Sequence, residues 1–139
     1  MLAATIFALL ALSGFDLSAT AVDSVPAQFI GIWSPDLRDC TSGDNDGIVR
    51  IRPDYISHWE SEGPIRAVVV RGRHELALIS ELEGEGETRL ETQRYVLAAT
   101  EDRMFARNIP GRELTLYRCP ENGSRSTTSS KPTPLRGAA

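Results

Sequence analysis

The chain has few of the residues that usually carry chemistry. Its 139 residues include two cysteines, two histidines and two methionines. Gly-x-Ser-x-Gly, a phosphate-binding glycine loop, His-Glu-x-x-His and Cys-x-x-Cys do not occur. Their absence removes the usual sequence grounds for a nucleophile-elbow hydrolase, a nucleotide enzyme, a zinc peptidase or a dithiol redox protein. An excess of positive charge is also missing, the formal net charge being −4. That balance argues against nucleic acid as a partner. There is no polybasic patch for a membrane surface, no internal repeat and no long amphipathic helical pattern.

What is present begins with an apolar N-terminus. The first fifteen residues hold no charge, and Asp16 ends the run. This is short of the ~20 residues a helix needs to cross a bilayer. Ala19-Thr20-Ala21 is a small-x-small pattern of the kind signal peptidases cut. Met1–Ala21 therefore reads as an export signal, although no Lys or Arg precedes its apolar run. Phe15 follows Leu12-Ser13-Gly14 where a lipidated Cys would stand, so lipid anchoring has no acceptor. Removing the segment takes away Asp16 and leaves a net charge of −3. A periplasmic or secreted location is expected, with no stable membrane insertion.

Disulfides persist in oxidising compartments. Cys40 and Cys119 allow one intramolecular pairing, near the two ends of the exported domain. Closing a loop of about 80 residues is worth roughly 4–5 kcal/mol in the chain-entropy model. A zinc site on these thiols is the weaker reading, because structural zinc takes four ligands and neither His stands at finger spacing.

From Phe29 to Cys119, strand signals alternate with turn chemistry. Phe29–Trp33, Ile48–Arg52, Tyr55–Glu60, Ile65–Arg71, His74–Leu82, Glu87–Ala98, Arg103–Arg107 and the stretch through Leu114, Leu116 and Tyr117 read as strands. Pro53-Asp54, Gly63-Pro64, Gly72-Arg73, Gly84-Glu85-Gly86 and Pro110-Gly111 punctuate them. The expectation is an all-β domain over residues 22–119. Its form would be a small antiparallel meander or an eight-stranded, lipocalin-like barrel closed by one disulfide. Pro120–Ala139 is rich in Pro, Ser, Thr and Gly and reads as a disordered tail.

Phe29-x-Gly31-x-Trp33 resembles the opening of lipocalin-type barrels, where the Trp closes the barrel base. A broader resemblance covers Gln28 to Cys119. It runs through Gly31, Trp33, Asp39-Cys40, Asp46 to Ile48, Trp59-Glu60-Ser61, Gly84-x-Gly86 and Leu116-Tyr117-Arg118-Cys119. The chain is similar there to a family of small secreted or periplasmic alphaproteobacterial proteins. The resemblance implies export, a β-rich domain and a Cys pair, and no activity. Position 58 is His where an aromatic is expected in that family.

Three constellations are candidates for function. Residues i and i+2 share one face of a strand, so a strand through Tyr55–Glu60 would place His58 and Glu60 together. A carboxylate beside an imidazole can orient it for acid–base work. The same pair also fits a hydrogen-bonded strand end, and no nucleophile or third group is placed beside it. His74 reads as a lone, exposed turn residue. Glu81, Glu83, Glu85 and Glu87, with Glu91, form an acidic hairpin. Such charge blunts an exposed sheet edge or offers a docking surface to a basic protein. In this it is similar in class to periplasmic lysozyme inhibitors. Asp44-Asn45-Asp46-Gly47 fails as a calcium loop, because Pro53 stands where a bidentate Glu is needed. Gly31, Trp33 and Trp59 are expected to be structural, in the core or plugging the barrel. The leading expectation is an exported, monomeric, non-enzymatic binding protein without a cofactor, whose partner is a small molecule or a basic protein.

Overall fold

The computed structural model describes residues 18–121, with the side chain of Ile109 excepted. Most of the segment read as an export signal, and most of the tail read as disordered, lie outside the described residues. The first strand, β1 (Ala19–Val22), is followed by a single 3₁₀ turn at Ala27–Phe29. Then come β2 (Gly31–Ser34), one helical turn α1 (Asp39–Ser42), β3 (Val49–Ile51) and β4 (Tyr55–Ser57). Three long strands follow: β5 (Glu62–Arg71), β6 (Glu75–Gly84) and β7 (Glu87–Leu97). The last two are β8 (Arg103–Ile109) and β9 (Arg112–Arg118).

Strands β2 to β9 form a closed antiparallel barrel in chain order, completed where Trp33 of β2 pairs with Arg118 of β9. Closure gives every barrel strand a neighbour on both sides over part of its length. β1 is additional and lies along β5, from Ala19↔Arg71 to Val22↔Val68. The Cys40–Cys119 disulfide is formed, with a Cα–Cα distance of 5.5 Å. It ties the turn after β2 to the residue after β9, as the sequence suggests.

Gly63-Pro64, expected as a turn, lies inside β5 and pairs there with Ile56 and Tyr55, and two strand assignments shift. Phe29 and Ile30 precede β2 instead of opening it; Phe29 closes the 3₁₀ turn and is fully buried. β4 ends at Ser57 because its pairing with β5 runs only from Tyr55↔Pro64 to Ser57↔Glu62. His58–Ser61 is then the reversal, closed by the His58 N–H donating to the Ser61 carbonyl at 2.7 Å. His58 and Glu60 are therefore not neighbours on a strand face.

The core is the inward face of the barrel. Alternation along β6 sends Leu76, Leu78, Ser80 and Leu82 inward, and Tyr95 and Leu97 of β7 and Met104 of β8 meet them. These side chains fill the barrel interior, as expected where eight strands enclose little more than their own side chains.

Candidate functional site

One end of the barrel is sealed. Trp33 is fully buried, and its Nε1 donates to the Phe29 carbonyl at 2.9 Å. The Arg118 guanidinium lies over the indole at 4.1 Å from the ring centroid. It donates to the carbonyls of Ile30 and Glu101, each at 3.0 Å, and to that of Gln28. Gly31 makes this approach possible: its φ is +140°, and a Cβ there would press on Arg118 Nη1 at 3.3 Å.

The opposite end carries the His58–Ser61 turn, the β6–β7 hairpin tip and the loop leading into β3. Asp46, His58, Trp59, Glu60, Ser61 and Arg89 line a groove of about 360 Å³ there. Trp59, expected in the core, is 54% exposed. It stands at a turn apex, where strand alternation no longer directs apolar side chains inward. Glu60 is exposed, and His58 is half-buried. His58 Nε2 is buried with no hydrogen-bond partner. Burial holds the His58 imidazole below its ordinary range. The Glu91 carboxylate opposes that shift, and the Arg89 guanidinium adds to it. Arg89 Nε in turn donates to Glu91 Oε1 at 2.5 Å.

The polar wall continues down the inward face of β7, through Arg89, Glu91, Gln93 and Tyr95 at alternate positions. Ser80 Oγ donates to Gln93 Oε1 at 3.0 Å in the buried interior, while Gln93 Nε2 has no partner. Burial pushes the Tyr95 hydroxyl up, and the nearby Asn108 side chain opposes this. β7 pairs with β8 only from Tyr95↔Ala106 to Leu97↔Met104. Beyond that the strands part, and Asn108 Oδ1 takes the place of a backbone partner by accepting from the Arg94 N–H at 2.8 Å. The mouth is thus polar-lined on one wall, above a filled apolar barrel.

The acidic hairpin borders this mouth. Glu81 pairs with Arg66 at 3.1 Å. Glu83, Glu85 and Glu87 are exposed at the tip. Glu85 adopts φ +51° and Gly86 φ +79°, the paired left-handed residues of a tight hairpin turn. His74, expected to be exposed, is half-buried with Nδ1 unpartnered.

Sequence reading overlooked Arg89 and Gln93, and it weighed Asp46 only as part of a failed calcium loop, where the structure puts it on the groove wall. The alternation of polar residues through Arg89, Glu91 and Gln93 is visible in the sequence, but polarity there suggests an outward face. Among the described residues no group of three or more His, Cys, Asp or Glu could hold a metal ion. No described helix is long and apolar enough to cross a membrane. No family model, curated protein or solved structure matches the chain.

Proposed function

We propose that the protein is an exported, non-enzymatic β-barrel binding protein that takes a small ligand at its mouth and acts as a monomer. The observation that carries this reading is the pairing of an exposed Trp59 with a buried, unpartnered His58 Nε2 in one groove. A buried polar atom without a partner costs about 1–3 kcal/mol. A ligand that offers His58 a hydrogen bond offsets that cost, while Trp59 supplies a flat apolar surface. The lipocalin-like arrangement of a base closed by Trp33 and an open opposite end supports the same reading. The disulfide fits an oxidising compartment.

The test is an intact native mass spectrum of the protein exported by its own host. Extra mass that departs on denaturation, and that is lost in Trp59→Ala, is the expected result. Bare protein from every preparation overturns it.

The exposed Glu83, Glu85 and Glu87 favour a second reading, a protein inhibitor that docks its hairpin on a basic enzyme. Changing Glu83 and Glu85 to Lys would then abolish a salt-sensitive complex with lysozyme while the fold survives. No lysozyme inhibition at low salt ends this reading.

A further inference from the structure

β5 has two partners on one of its sides. β4 covers Glu62–Pro64, and β1 covers Val68–Arg71. Three of the four β1 residues, Ala19-Thr20-Ala21, are also the small-x-small pattern at the end of the export segment. Cleavage after Ala21 removes the partners of Arg71, Val70 and Val69 and leaves only Val22 opposite Val68. The β5 edge is then open over its last three residues, with the backbone N–H and C=O groups that point away from β6 unpaired.

The outer face beside that edge has a defined chemistry. Ala19, Val69, Ala77 and Val96 help line a shallow hollow of about 90 Å³, with Glu75 also on its wall. Arg71, Arg94 and Arg107 stand around it. Arg71 and Arg107 are paired with Glu75 and Glu113. The Arg94 side chain has no ionic partner among the described residues. The hollow accepts a small side chain, and its surroundings favour a carboxylate.

We propose that export processing opens this edge as a docking site for an extended segment of another polypeptide. The segment adds antiparallel to β5 in the place of β1. It carries small residues at the positions of Ala19 and Ala21 and an acidic residue within reach of Arg94. Main-chain pairing supplies the affinity, and the hollow and the arginine supply the selectivity. The proposal rests on the export reading.

Two chains test it, one beginning at Ser18 and one at Val22, each checked for an intact disulfide and a folded spectrum. Exchange of those Val69–Arg71 amides that point away from β6 is expected to be at least tenfold faster in the Val22 chain. The probe is a capped peptide, Asp-Ser-Ala-Thr-Ala-Val, at millimolar concentration. It should restore protection to those amides in the Val22 chain and leave the Ser18 chain unchanged. Replacing its Asp with Lys should weaken binding several-fold. Equal exchange in both chains, or a peptide without effect, overturns the proposal. So does concentration-dependent protection without peptide, which would make a second copy the occupant. The N-terminal mass of the exported protein separates the two ideas: an exported chain that keeps Ala19–Ala21 preserves export but leaves the edge always occupied and defeats the docking site.

Discussion

Arg118 and Trp33 form the seal of the barrel base, the guanidinium 4.1 Å from the ring centroid and bonded to three backbone carbonyls. Both residues lie on the closing strands: Trp33 on β2 and Arg118 on β9 are register partners across the seam. With Trp33 buried and Arg118 half-buried, the cation–π contact is worth about 1–2 kcal/mol, and stripping donors from partly buried carbonyls adds about 1–3 kcal/mol. Arg118→Ala is therefore expected to lose about 3–4 kcal/mol in denaturant unfolding. Arg118→Lys should recover less than half of the loss, because an ammonium cannot both stack and fork to three carbonyls. A loss below about 1 kcal/mol would show that the seam closes without this pair.

The disulfide spans a sequence separation of 79. Reduction should lower stability by roughly 4–5 kcal/mol in the chain-entropy model, and the melting temperature by roughly 20 °C at this size. Melting curves with and without strong reductant check it. Coincident curves contradict the stapled barrel.

Gly63 lies where β5 crosses against β6. A Cβ there would overlap the Glu81 carbonyl oxygen, which is backbone and cannot swing away. Gly63→Ala is expected to cost about 3 kcal/mol or more. Gly86 is the control: its φ is +79°, but a Cβ would meet nothing within 4 Å. Gly86→Ala should cost about 1 kcal/mol, the conformational penalty alone. Equal losses in denaturant titrations would count against the close crossing.

His58 makes stability depend on pH. Its folded pKa lies below the ordinary 6.5, so the unfolded chain binds its proton more readily. The contribution is fully present above about 6.5 and is lost as pH falls through that value towards the folded pKa. Glu91 and Arg89 face the imidazole and act in opposite directions. Unfolding free energies from pH 7.5 to 5 should fall for the wild type and fall less for His58→Gln. Parallel curves would show an imidazole that titrates as if in water.

The barrel is legible in the sequence because its turns are written in Gly, Pro, Asn and Asp, and because β6 alternates cleanly through Leu76, Leu78, Ser80 and Leu82. The disulfide is legible because two cysteines leave one pairing. The mouth is less so. His58 and Trp59 read as strand residues until pairing with β5 ends β4 at Ser57. Gln93 and Arg89 carry the polarity of an outward face, yet they alternate in step with the buried Tyr95 and Leu97 on the inward one. β1 is hidden for another reason: its residues read as a processing site, and only tertiary pairing with Val68–Arg71 makes them a strand.

The two tryptophans offer the most direct measurement of the central claim. Trp33 Nε1–H is buried and hydrogen-bonded at the sealed base, and Trp59 stands exposed at the mouth. In a ¹⁵N spectrum the Trp33 indole resonance should exchange slowly with solvent and the Trp59 resonance quickly. When small molecules extracted from the host compartment are added, the account predicts that the Trp59 resonance moves and gains protection while that of Trp33 stays fixed. Movement of Trp33 alone, or of neither, would contradict a closed base with a binding mouth.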